Sequence, residues 1–189
     1  MIRSKIATME RYRIHAEGAV YFVTYSVVEW LPIFITEATF KIVTDSLTFC
    51  HEQKHLRINA FVVMPTHLHM IVVDADFENE RLIRTLADFR KFTGRQLSDY
   101  CGNHFPRCFA ETLRAEATAD RERRLWQPSR HPEAIETERF WHQKIDYLHD
   151  NPRRKGLVCS PQDWRWSSAG WYFSDGKEVS DVPLTAIMW

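Results

Sequence analysis

Apolar positions along the chain fall into two kinds of run, short dense ones and longer spaced ones. Residues 19–28 (AVYFVTYSVV) are β-branched and aromatic and predict a strand. From Thr36, a candidate cap, to about residue 55, Phe40, Ile42, Val43, Leu47 and Phe49 supply the apolar faces of a helix. Residues 56–64 are again dense and predict a second strand. Pro65-Thr66 is too short for a crossover helix, so residues 67–74 are expected to return antiparallel as a hairpin. Over residues 78–100, Leu82, Ile83, Leu86, Phe89, Phe92 and Leu97 recur at helical spacing. The pattern degrades over 101–130 into an expected irregular connection. A short strand at 132–135 and a helix over 136–149, capped by Thr137, follow. Asn151-Pro152 is expected to stop that helix, because proline disfavours helical geometry in the residue before it.

The order strand, helix, hairpin, helix, strand, helix predicts an α+β domain of ferredoxin-like arrangement, an antiparallel sheet with helices packed on one face. A length of 189 residues fits a single domain spanning 1–189, with a core at about 18–172 and extensions at both ends. No apolar run reaches membrane-spanning length. Residues 1–12 lack the apolar core of a signal peptide, so a cytoplasmic protein with no membrane partner is expected. Four scattered cysteines without a Cys-x-x-Cys pair read as free thiols and argue against a zinc ribbon. Twenty-five basic and 25 acidic residues cancel, which counts mildly against bulk nucleic-acid binding. Local basic clusters at 81–95 and 153–155 leave a basic surface open.

The chemistry concentrates at the second hairpin strand. It opens His67-Leu68-His69. Residues two apart share a strand face, so both imidazoles point one way and Leu68 and Met70 the other. Two imidazoles side by side on a rigid strand chelate one divalent metal. A His-x-His pair is weak evidence alone, since structural histidines are common. The last helix carries Tyr147 and, one turn on, Asn151, so both side chains can face one site. An amide oxygen serves as a third ligand for a hard cation. Taken singly, Tyr147 reads as a core-edge aromatic and Asn151 as a helix terminator. Together with the histidine pair they point to phosphodiester cleavage by a tyrosine nucleophile. His142 and His149 are rival ligands, each more ordinary as a surface histidine.

The runs Val63-Met64-Pro65-Thr66-His67-Leu68-His69, Asp146-Tyr147-Leu148-His149-Asp150-Asn151-Pro152-Arg153-Arg154-Lys155-Gly156 and Asp163-Trp164-Arg165-Trp166-Ser167-Ser168-Ala169, with Trp126-Gln127-Pro128 upstream, are together specific. They resemble the REP-associated tyrosine transposases, members of the wider class of HUH single-strand nucleases. The resemblance covers about 18–172. It implies a ferredoxin-like domain acting on single-stranded or hairpin DNA such as REP-like palindromes. By position it implies His67, His69 and Asn151 as ligands of Mg²⁺ or Mn²⁺ and Tyr147 as nucleophile. Thr66 stands where the family commonly has Asn and is not a ligand. The stretch 101–124 is longer and more charged than the family leads one to expect. The implied reaction forms a 5′-phosphotyrosine and frees a 3′-OH. A phenol, ionising near pH 10 in general, needs help from metal and positioning.

Arg153, Arg154 and Lys155 directly follow the tyrosine helix and are the candidate phosphate binders; Arg90, Lys91 and Arg95 are secondary ones. The tail tryptophans could stack on bases, with core packing favoured for Trp164 and Trp166. Two alternatives stay open: a domesticated hairpin-binding protein that no longer cuts, and an unrelated metal hydrolase pairing His67 and His69 with Asp74 or Asp146. Related enzymes work as monomers or as dimers exchanging the tyrosine helix, so monomer and homodimer are both open.

Overall fold

The computed structural model describes residues 20–117, 123–128 and 132–187. Within these, β1 (Val20–Ser26) leads through a short 3₁₀ turn (Val28–Trp30) to α1 (Glu37–Gln53), and β2 (Leu56–Met64) and β3 (His67–Asp74) form a hairpin. Then come α2 (Asn79–His104), α3 (Arg107–Ala115), β4 (Glu133–Ile135), α4 (Glu138–Arg154), a 3₁₀ turn at Pro161–Asp163 and α5 (Ala169–Phe173). The sheet order is β2-β3-β1-β4, with every pairing antiparallel, which is the ferredoxin-like order.

Local chemistry explains the element ends. Thr36 caps α1 in a reciprocal box with Thr39, and Thr137 accepts the Phe140 N–H to cap α4. Pro152 does not end α4, contrary to expectation; the helix runs on to Arg154. It ends at Gly156, whose φ of 70° suits glycine. There Leu157 N–H bonds the Pro152 carbonyl and Gly156 N–H the Arg153 carbonyl, a Schellman motif. The stretch 101–130 is not wholly irregular: α2 extends to His104 and α3 follows, burying Ala110 and Leu113. Parts of that stretch, 118–122 and 129–131, lie outside the described residues.

Both sheet faces are covered, which corrects the expectation of helices on one face. Tyr21, Val23 and Tyr25 of β1, Phe61 and Val63 of β2, and Leu68, Met70 and Val72 of β3 pack with Phe40, Val43 and Leu47 of α1 and Leu82, Leu86 and Phe89 of α2. Val20, Phe22, Ala60, Val62, Met64, Ile71 and Val73 pack on the other face with Ile145 and Leu148 of α4. Every residue of β3 is buried, as a doubly covered strand requires. Phe49, Ile83 and Phe92, expected on apolar helix faces, are exposed instead. Trp126 reaches the α1/α2 side, stacking on Phe34 and donating its indole N–H to Thr93.

The free edge of β2 is closed by the tail. Val63 N–H bonds the Trp166 carbonyl, Ser168 N–H bonds the Phe61 carbonyl, and the Trp164 indole donates to Val63. Trp166 stacks on Phe40 at 4.5 Å, so Trp164 and Trp166 belong to the core. All four cysteines are free thiols. Among the described residues no helix is long and apolar enough to cross a membrane.

Candidate active site

The register of the three long strands sets the site. His69 lies opposite Thr24 of β1 and Val62 of β2, and His67 opposite Ser26 and Met64. Both imidazoles therefore stand on the α4 face, as the strand spacing required, with ring centroids 4.6 Å apart. Both are almost fully buried, at 8% and 5% exposure.

Each ring is held at one nitrogen. Thr24 Oγ1 lies 2.7 Å from His69 Nδ1, and Thr66 Oγ1 lies 2.9 Å from His67 Nδ1. In the tautomer whose Nδ1–H donates to the hydroxyl, Nε2 keeps its lone pair for a ligand. Thr66 thus orients a histidine, a role its position as a mere non-ligand had not suggested. Burial holds both rings neutral. Desolvation, aided by Lys155, pulls His67 down to about 4; desolvation, aided by His67 and Lys144, pulls His69 down to about 3.

Tyr147 stands over this pair. Its ring meets His69 edge-on at 5.4 Å and Phe22 at 6.2 Å, and Phe22 in turn stacks on His69 at 5.3 Å. Unlike the histidines it is 40% exposed, and among the described residues its hydroxyl makes no hydrogen bond. The Arg154 guanidinium lies 5.6 Å over the same ring. Asn151, one turn after Tyr147, is buried on the same helix. Among the described residues no three His, Cys, Asp or Glu side chains form a metal cluster, so a cation on the histidine pair would need Asn151 or water to complete its shell.

Polar fasteners fix α4 against the sheet of its own chain. The Trp141 indole donates to Asn59 Oδ1 at 2.7 Å, Lys144 pairs with Glu133 at 2.6 Å, and His149 Nε2 meets Ser168 Oγ at 2.8 Å. Ser168 in turn bonds both the N–H and the carbonyl of Phe61. His149 is thus a buried structural histidine, not a surface one, and desolvation draws it down to about 4. His142 is a surface residue 3.8 Å from Glu138.

The basic candidates separate. Arg153 is tied to Asp150 by two bonds, while Arg154 and Lys155 are exposed beside the site without an ion pair among the described residues. Arg90, Lys91 and Arg95 sit on α2, on the far side of the sheet, and Arg90 is occupied by the Gln127 carbonyl and the Tyr25 ring. The carboxylates of the hydrolase alternative are not brought to the histidines. Asp74, at the opposite end of β3, is held by Arg81, and Asp146 is exposed. A residue the sequence reading passed over is Trp30, exposed at the end of the β1 turn and 5.9 Å edge-on to His67.

No family model and no curated protein matches the chain. Among solved structures it is similar to a REP-associated tyrosine transposase bound to a REP hairpin. That likeness has a TM-score of 0.61 at 18% identity, over 94% of this chain and 92% of the other. The two share a fold, the one that the motif resemblance implied. A candidate transposase of Deinococcus radiodurans R1 is a weaker likeness, with a TM-score of 0.45 at 14% identity over 73% of this chain and 94% of the other.

Proposed function

We propose that the protein is a metal-dependent tyrosine transposase, cutting and rejoining single-stranded or hairpin DNA through Tyr147. The observation that supports this reading is the pairing of an exposed, unbonded tyrosine with two buried, neutral, hydroxyl-oriented imidazoles on one sheet face. The shared fold adds weight, since the similar protein was solved on a REP hairpin. Neither part alone would suffice: a fold hosts many functions, and a histidine pair many roles.

In this reading the phosphate of a single strand lies between the histidine face and Arg154 and Lys155, which hold its oxygens by charge. A divalent cation on His67, His69 and Asn151 would supply Lewis acidity at a non-bridging phosphate oxygen. Two nitrogen donors suit Mn²⁺ better than Mg²⁺, which prefers oxygen. The Tyr147 oxygen attacks phosphorus and its phenol proton passes to solvent water. The P–O3′ bond breaks, and the departing O3′ takes a proton and leaves as a free 3′-OH. The 5′-phosphotyrosine conserves the ester, so an incoming 3′-OH reverses the step and joins strands without a nucleotide cofactor. The fasteners of α4 keep the phenol from drifting from the pair, which is the positioning that such an attack requires.

The test is incubation with Mn²⁺ and labelled hairpins carrying single-stranded flanks, followed by a denaturing gel. A protein-sized covalent adduct is expected with hairpin and not with blunt duplex of the same length. Equal reaction of both, or no adduct with any single strand, would refute the proposal.

A further inference from the structure

We propose that Trp30 is a stacking platform for one unpaired base beside the scissile phosphate, and so a residue that determines how the strand is seated; this rests on the strand-transfer reading above. Trp30 is the one tryptophan among the described residues that is mostly exposed, at 57%. Of the tail tryptophans, which the sequence offered for this task, Trp164 and Trp166 are partly buried against the core and Trp171 packs on Tyr172, while Trp189 lies outside the described residues.

The turn that carries Trp30 is built to hold it out. Glu29 and Trp30 both take left-handed backbone, each with φ of 51°, a conformation that bulky residues avoid. Two consecutive strained residues persist only where the surroundings force them, and such strain collects at functional sites. Here the surroundings are firm. Val27 and Val28 before the apex and Ile33 and Phe34 after it are all buried. Val27 N–H bonds the Thr66 carbonyl at 2.9 Å and Phe34 N–H bonds the Pro65 carbonyl at 3.0 Å. Val28 N–H is held by Leu125 at 2.8 Å. Both arms of the turn are thus pinned to the two residues that immediately precede His67. The backbone that carries the indole cannot move away from the histidine face without breaking these bonds, and the indole itself rests edge-on against His67.

An indole fixed with much of its surface in water is poorly explained by folding, because burial of that surface would have stabilised the chain. It fits a flat, apolar, sequence-tolerant partner. A nucleic-acid base is such a partner, and base–aromatic stacking is the common device for seating single strands. The edge-on contact with His67, at an interplanar angle of 82°, places the indole next to the proposed phosphate site.

The test measures binding in the Tyr147→Phe background, where no strand is cut. Fluorescence anisotropy follows a hairpin whose flanking nucleotides are made abasic one at a time. Trp30→Ala is expected to weaken binding roughly five- to hundredfold. Trp30→Phe should keep most of the affinity. One abasic position should cost the parent protein a similar factor and cost Trp30→Ala almost nothing, the signature of a direct pair. Salt dependence separates stacking from charge: Trp30→Ala leaves the slope of log K against log salt unchanged, whereas Lys155→Ala lowers its magnitude by about 0.7. Unchanged affinity in Trp30→Ala, or an equal abasic penalty in both proteins at every position, overturns the proposal. Adduct formation by the wild-type protein is scored in parallel. An adduct without abasic coupling removes Trp30 alone; abasic coupling without an adduct leaves Trp30 and removes Tyr147; no binding at all removes both.

Discussion

Tyr147→Phe should separate chemistry from stability, and Tyr172→Phe should do the reverse. The Tyr147 hydroxyl has no hydrogen-bond partner among the described residues, while its ring keeps its contacts with His69, Phe22 and Arg154 after the oxygen is gone. The expected stability change is therefore within about 0.5 kcal/mol, the range of surface substitutions. Tyr172 donates its hydroxyl to the Asn59 carbonyl at 3.0 Å, and Asn59 is buried; burial of the phenol also pushes its pKa up to about 12. Removing that oxygen orphans a carbonyl and should cost about 1–2 kcal/mol. For a chain of this size that is a melting shift of roughly 2–8 °C, against about 2 °C or less for Tyr147→Phe. In the hairpin assay the order inverts: Tyr147→Phe yields no covalent adduct, while Tyr172→Phe and Tyr100→Phe still form it. A residual adduct in Tyr147→Phe refutes the nucleophile. A melting shift in Tyr147→Phe as large as that of Tyr172→Phe would instead show that the hydroxyl serves structure.

Replacing both His67 and His69 with Ala should abolish metal-dependent cleavage; each loses a threonine bond and a buried ring, about 2–4 kcal/mol apiece, so circular dichroism must show a cooperative fold before the adduct gel is read, and undiminished cleavage would sink the metal site. In chelator, stability should fall as pH drops below about 6.5. His67, His69 and His149 are held near 4, 3 and 4 by burial, so the unfolded chain takes up protons that the folded one refuses, and the loss continues to about pH 4 for His67 and His149 and about pH 3 for His69. At pH 5 that amounts to on the order of 2 kcal/mol per histidine, and equal urea midpoints at pH 7 and pH 5 would contradict it. Gly156→Ala meets no atom within 4 Å but must adopt φ near 70°, so strain alone should cost about 1–2 kcal/mol, measured by urea melts.

The fold was legible where periodicity was unambiguous. β2, β3, the two-residue turn and both threonine caps follow directly from dense runs, spacing and side-chain type. The second covered face is also written in the sequence. Met70-Ile71-Val72-Val73 is apolar at four consecutive positions, which half-buried strands do not need and doubly buried ones do. The run of α4 past Pro152 was hidden for a different reason. Proline deprives the helix of one backbone bond only, and Gly156 four residues on supplies a termination geometry that outweighs the breaker. Exposure of Phe49, Ile83 and Phe92 could not be read from spacing, because an apolar residue one position off the buried stripe satisfies the same pattern.

The site divides along the same line between local and long-range information. The shared face of His67 and His69 is a property of strand pleating and needs no tertiary knowledge. Their neutrality is not: it requires α4 to lie over them, and that depends on Ser168, Asn59 and Glu133, partners distant in sequence from the helix residues they hold. Thr24 binds His69 across 45 residues, while Thr66 binds the very next residue, so only the second left any local trace. Trp30 left none. Its sequence neighbours read as the end of a strand, and its value as a site residue comes from two backbone bonds to Pro65 and Thr66 that bring one turn against another. A tryptophan's place in the core or at a mouth is decided by such closures. That is why Trp164 and Trp166, attractive by composition, pack inward to seal β2, while Trp30 stands exposed against His67.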